Sequence, residues 1–168
     1  MKLTILNILK GGLVATFLFC SYLGFSQDQP TQINNNAITW MSWDEMVKAQ
    51  ETERKKVFLD VYTDWCGWCI KLQNEVFKTS DFEKWSKDMV LVELDFPRRT
   101  AQEEIVKAQN AQLQAMFKVR GYPSVYFVNP EKMPDGKMNL NNLGKTGYVK
   151  GGAIKWLEVA NNIVKKTI

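Results

Sequence analysis

Two cysteines, Cys66 and Cys69, stand two residues apart in the stretch Trp65-Cys66-Gly67-Trp68-Cys69. Thiols at this spacing could hold a metal, staple the chain or exchange disulfides. A zinc site needs about four ligands, and the chain has no histidine and only one further cysteine, Cys20, in the leader segment discussed below. A bridge across two residues closes so small a loop that it stabilises a fold weakly. Thiol–disulfide exchange fits best. One thiolate attacks a disulfide and the second thiol displaces what the first has captured.

Such chemistry needs an ionised sulfur, and the flanking sequence supplies a place for one. Val57-Phe58-Leu59-Asp60-Val61-Tyr62 is a β-branched and aromatic run that predicts a buried strand, and Ile70 to Phe77 carries helical periodicity. Cys66 therefore falls where a strand turns into a helix. Unpaired N–H groups and the positive end of the helix dipole favour a thiolate there. Asp60 interrupts an otherwise apolar strand. Buried without a partner it would have a raised pKa and suit proton exchange with a thiol; at a wet strand end it would have no such role.

The first 26 residues have the form of a signal peptide. Lys2 and Lys10 border an apolar stretch through Cys20, and Gly24 and Ser26 supply small residues for cleavage after Ser26. A retained anchor is the alternative, although Gly11 to Phe25 falls short of the roughly 20 residues a spanning helix needs. Residues 27–37 are polar and Asn-rich and predict a flexible leader; one ordered domain is expected over residues 38–168. Lys and Arg number 22 against 18 Asp and Glu, and the leader takes away two lysines and no acid. That near balance gives no footprint for nucleic acid. Export would also carry the pair to an oxidising compartment, with no other cysteine left for a framework.

Ser42 and Glu45 form a capping-box pattern with Met41 and Met46 as a hydrophobic staple, which predicts a helix from Trp43 to about Arg54. Thr79 to Asp81 cap a short helix, and Met89 to Leu94 is a second buried strand ended by Pro97. A helix follows from Thr100 to Lys118, with Ile105, Ala108, Leu113, Met116 and Phe117 turned inward. Arg98 and Arg99 fit a solvated turn better than a substrate contact. Pro123 enters a strand over Val125–Val128 as its edge-forming first residue, holding Tyr122 extended. Asn129 to Lys137 is turn material, Leu143 to Val149 a further strand, and Ala153 to Lys165 a last helix with Ile154, Leu157, Ala160 and Val164 inward.

This order of elements resembles the thioredoxin-like superfamily from about Trp40 to Lys166. Trp-Cys-Gly-x-Cys matches that family's active site, Asp60 falls on its buried acid, and Gly121-Tyr122-Pro123 on its cis-proline loop. The resemblance implies an α/β thioredoxin-like fold, with a central mixed sheet flanked by helices. Cys66 and Cys69 would form the redox-active disulfide, Cys66 as exposed nucleophile and Cys69 as buried resolving thiol. Asp60 would manage the proton of Cys69. Trp65, Gly67, Trp68, Tyr122 and Pro123 would bind substrate, with Trp65 as a rim and the Tyr122 backbone pairing an extended segment. Trp68 stands where relatives carry proline or histidine, so one device for stabilising the Cys66 thiolate is missing and a reducing potential is expected.

An exported thiol–disulfide oxidoreductase that reduces or isomerises protein disulfides is thus the leading expectation. A disulfide-donating oxidase and a non-catalytic binding module are the alternatives. The partners implied are protein or peptide thiols and disulfides and a membrane or soluble electron donor. A monomer is expected, with no metal and no cofactor.

Overall fold

The computed structural model describes residues 38–165. The expected signal peptide and leader lie outside the described residues. Strand β1 (Trp40–Met41) leads into α1 (Trp43–Ala49), β2 (Lys56–Tyr62) and α2 (Gly67–Leu72), which runs on as a π-helical turn over Gln73–Phe77. Then follow α3 (Ser80–Ser86), β3 (Met89–Asp95), α4 (Glu104–Met116), β4 (Ser124–Lys132), β5 (Met138–Thr146) and α5 (Gly152–Val164). The sheet order is β1-β3-β2-β4-β5, with β1, β3 and β2 parallel and β4 and β5 antiparallel to their neighbours. This is the thioredoxin-like α/β architecture, a mixed five-stranded sheet with helices on both faces. Among the described residues no helix is long and apolar enough to cross a membrane.

Alternation along β2 divides the core. Val57, Leu59 and Val61 point into one layer with Met46, Val90, Val92, Leu113 and Phe117, beneath α1 and α4. Phe58 points into the other with Leu72, Val76, Phe77, Phe82 and Trp156, beneath α2, α3 and α5. Phe58 is the hub of an aromatic cluster, with ring centroids at 5.4 Å from Phe77 and Phe82, 5.7 Å from Phe127, 5.8 Å from Trp40 and 5.9 Å from Trp156. Each such pair adds about 0.5–1.5 kcal/mol beyond its buried area.

The capping box forms as expected: Ser42 N donates to Glu45 Oε2 at 2.7 Å and Glu45 N donates to Ser42 Oγ at 3.3 Å. Several boundaries differ from the sequence pattern. Helix α1 stops at Ala49 rather than Arg54, because Gln50 turns inward to donate to the Lys55 carbonyl at 2.8 Å and Arg54 takes a positive φ of 37°. Strand β1 was not expected. Helix α4 begins at Glu104 rather than Thr100, and Ile105, Ala108 and Met116 face solvent. Its inward stripe is Val106, Asn110, Leu113 and Phe117, and the polar Asn110 disguised it by donating to the Asp95 carbonyl at 3.0 Å. In α5 the inward residues are Ala153, Trp156 and Ala160, so Ile154 points outward and Trp156 is the anchor. Strand β4 extends through Pro130 to Lys132, and β5 starts at Met138 and ends at Thr146, because the two pair as one long hairpin. Since β4 lies between β2 and β5, Pro123 stands just before an interior strand and forms no edge.

Trp156 also donates from its ring nitrogen to the Gly147 carbonyl at 2.9 Å. Trp156→Ala should lower unfolding free energy by about 3–5 kcal/mol. Denaturant unfolding followed by circular dichroism measures this.

Candidate active site

Cys66 is the N-cap of α2, and its sulfur accepts a hydrogen bond from the backbone N–H of Cys69 at 3.1 Å. Its carbonyl accepts the first helical bonds, from Cys69 N at 3.0 Å and Ile70 N at 3.2 Å. The sulfurs of Cys66 and Cys69 are bonded to each other, with Cα atoms 5.2 Å apart. Their exposures are 8% and 2%. Cys66 is the more accessible of the two, but in this oxidised form it is a narrow window and not the open nucleophile expected. Gly67 beside it is exposed, and a Cβ built there would meet nothing within 4 Å. The space over the first turn is open to a partner.

Backbone ties hold this turn to the sheet. Cys66 N donates to the Thr63 carbonyl at 3.2 Å, buried Thr63 donates from its hydroxyl to the Phe96 carbonyl at 2.8 Å, and Phe96 N donates to the Tyr62 carbonyl at 3.1 Å. The ends of β2 and β3 are thus stitched together beneath the cysteines.

Asp60 lies mid-strand at 1% exposure, and its Oδ1 has no hydrogen-bond partner. It shares with Phe58 the sheet face that α2 covers. Burial, and after it the neighbouring Glu93, push its carboxyl well above the ordinary carboxylate range. Glu93 is its register partner on β3. Burial, and then Asp95, raise Glu93 as well, while burial and Asp64 raise Asp95. Glu93 could have been found in the sequence by the rule that singled out Asp60, since it too interrupts a buried apolar strand.

The rim has two sides. Trp65, 46% exposed, meets Tyr122 edge-on at 6.0 Å and carries Arg98 over its face, the guanidinium carbon 3.6 Å from the ring centroid. Tyr122 packs on Phe96 at 5.6 Å, its hydroxyl accepts from Gln114 Nε2 at 3.1 Å, and its peptide bond to Pro123 is cis. Trp68, 57% exposed, lies on the other side against Tyr148 at 5.0 Å, with Lys71 Nζ over both rings. The Tyr148 hydroxyl donates to Glu75 at 2.6 Å. Of the expected substrate-binding residues, Trp65, Tyr122 and Pro123 therefore come together, while Trp68 belongs to a separate cluster. Thr63 and Tyr148 were not singled out from the sequence, and Arg98, read there as part of a solvated turn, lies instead on the Trp65 ring. Thr63 and Tyr148 leave no signal in a single chain, and Arg98 looked like any charged turn.

A family model described as a thioredoxin-like domain matches residues 43–152, a span that holds Asp60, both cysteines and Pro123. The chain is 31% identical over 114 residues to the disulfide bond reductase DsbH of Chlamydia pneumoniae, covering 67% of this chain and 69% of that protein. A solved structure of a DsbH oxidoreductase superposes with a TM-score of 0.64 at 29% identity, over 76% of this chain and 85% of that one. The thiol:disulfide interchange protein DsbD of Actinobacillus pleuropneumoniae is 28% identical over 111 residues, which is 66% of this chain but only 17% of that protein. With fold, cysteine pair and cis-proline loop in the order that this domain model spans, the chain belongs to the thioredoxin-like domain family.

Proposed function

We propose that this chain is an exported thiol–disulfide oxidoreductase that reduces or reshuffles disulfides of protein or peptide substrates. The carrying observation is the Cys66–Cys69 disulfide at the start of α2, with the Cys69 N–H aimed at the Cys66 sulfur. In the reduced protein that N–H and the helix dipole favour a Cys66 thiolate. The thiolate attacks a substrate disulfide; one substrate thiolate leaves, and Cys66 becomes joined to the other half. Cys69 then loses its proton and attacks the Cys66 sulfur, releasing the second substrate thiolate and re-forming the protein disulfide. Two electrons pass from the dithiol to the substrate. A dithiol donor, membrane-bound or soluble, returns them.

Two features support the reducing direction. No histidine exists in the chain to hold the Cys66 thiolate, and the exposed ring of Trp68, packed on half-buried Tyr148, follows Cys66 in the first turn of α2. The reduced dithiol therefore gains little extra stabilisation, which is the condition for a reductant rather than an oxidant. The similarity to a protein named disulfide bond reductase points the same way.

Asp60 exchanges the proton of the resolving step, its ionised form taking the Cys69 proton and its protonated form returning it when the dithiol is restored. Its raised proton affinity, set by burial and then by Glu93, matches it to a thiol proton better than an ordinary carboxylate would be.

A Cys69→Ser variant should accumulate substrate mixed disulfides at Cys66, and Cys66→Ser should abolish insulin-disulfide reduction. Non-reducing mass spectrometry of the trapped adducts checks the first and a turbidity assay the second. Absence of insulin reduction by the parent, with peptide binding unchanged in both variants, would instead indicate a binding module, and net oxidation of reduced substrate an oxidase. A second expectation concerns pH. The folded Asp60 keeps a proton that the unfolded chain releases near pH 4, so this residue's contribution to stability falls as pH rises from there. Asp60→Asn should therefore melt at a higher temperature than the parent at pH 7, with the gap closing toward about pH 4. Glu93 and Asp95, also raised, leave some pH dependence in place. The same variant should slow release of a mixed disulfide by about tenfold or more, read by quenched-flow.

A further inference from the structure

We propose that Arg98, laid on Trp65, selects disulfides whose cysteine is flanked by a carboxylate side chain; this deepens the thiol–disulfide exchange proposed above and rests on it. Trp65 immediately precedes Cys66, so whatever is fixed on its ring stands at a fixed offset from the sulfur a substrate must reach. The guanidinium carbon lies 3.6 Å from the ring centroid, which is face-to-face stacking distance. Stacking engages the π face of a guanidinium and leaves its in-plane N–H donors pointing outward, in the fork that fits a carboxylate.

Among the described residues no carboxylate lies within ion-pair distance of Arg98. The other tryptophan-borne cation differs. Lys71, 5.4 Å from the Trp68 centroid, is already 3.6 Å from Glu75. The two exposed tryptophans flanking the disulfide thus each carry a cation, one neutralised within the fold and one open.

The open cation is also held in place from behind. Phe96, two residues earlier, is tied through its N–H to Tyr62 and through its carbonyl to Thr63, and Pro97 fixes the backbone between. Tyr122 also packs on the Trp65 ring in an edge-on arrangement, and its loop is where an extended substrate would pair. A segment lying along that loop with its cysteine over Cys66 would bring a neighbouring side chain to the Trp65 ring. An Asp or Glu there meets Arg98, and a Lys is repelled by it.

The test uses the full chain, prereduced and freed of reductant, with three homodimeric peptide disulfides that differ only in Glu, Gln or Lys beside the cysteine. Two electrons leave the Cys66/Cys69 dithiol, the peptide disulfide becomes two peptide thiols, and chromatography follows their appearance. The Glu peptide should react about fivefold to tenfold faster than the Lys peptide at low ionic strength, with the ratio shrinking toward unity by about 0.5 M salt. Arg98→Gln should remove the ratio and Arg98→Glu should invert it. Equal rates for the three peptides, or the parent order retained in Arg98→Glu, would overturn the inference and leave the exchange reaction standing. Failure to reduce any of the three would overturn both.

Discussion

Strand β2 is hydrogen-bonded along both edges, parallel to β3 and antiparallel to β4, and that double pairing decides what can meet at the site. Because β2 and β3 are parallel, the segments that leave them, one carrying Cys66 and the other Arg98, emerge at the same end of the sheet. Because β4 is antiparallel, its first residue Ser124 pairs with Val61 near the end of β2, and this brings the cis Tyr122–Pro123 bond to that end too. Trp65, Arg98 and Tyr122, distant in the chain, stack for this reason. A one-residue slip of β2 would turn Phe58 out of its aromatic cluster, so the register is enforced by the core rather than by the site.

The same pairing creates the main electrostatic tension. In-register parallel strands place Asp60 opposite Glu93 and Tyr62 opposite Asp95. Three carboxyls are thereby gathered on one sheet face at the end where the cysteines sit, and each is raised chiefly by burial and next by a neighbouring acid. An apolar residue at position 60 would suit the fold better, since a buried carboxyl oxygen without a partner costs stability. Its presence is the kind of local conflict that marks a working position rather than a packing one.

Much of this was legible in the sequence where chemistry is local. The cysteine pair, the capping box and the buried strands β2 and β3 each depend on residues within a few positions of one another, and each stands where expected. What failed was long-range. Asn110 sits in the core with its side-chain amide donating to the Asp95 carbonyl, 15 positions earlier, and a stripe read from apolar residues alone shifts toward Ile105 and Met116. Pro130 reads as turn material until β5 is laid beside it. Arg98 gains its meaning from Trp65, 33 positions away, and Glu93, itself visible as an acid in an apolar strand, is paired with Asp60 only by the strand register; no spacing rule in one chain makes either connection.

The two rims of the disulfide are built differently, and their electrostatics follow from how. On the Trp68 side, the π-helical turn over Gln73–Phe77 lets Leu72, Val76 and Phe77 all reach the core. That rotation leaves Lys71 and Glu75 side by side on the outer face, where Tyr148 clamps them. Cation, anion and ring are mutually satisfied there, so this rim offers a partner mainly apolar surface. On the Trp65 side the ring is covered by a turn that leaves β3, and a turn brings its arginine without a helical neighbour to supply a carboxylate. One rim is therefore closed electrostatically and the other open. A protein substrate whose cysteine is flanked by an acid on one side and an apolar residue on the other would satisfy both at once.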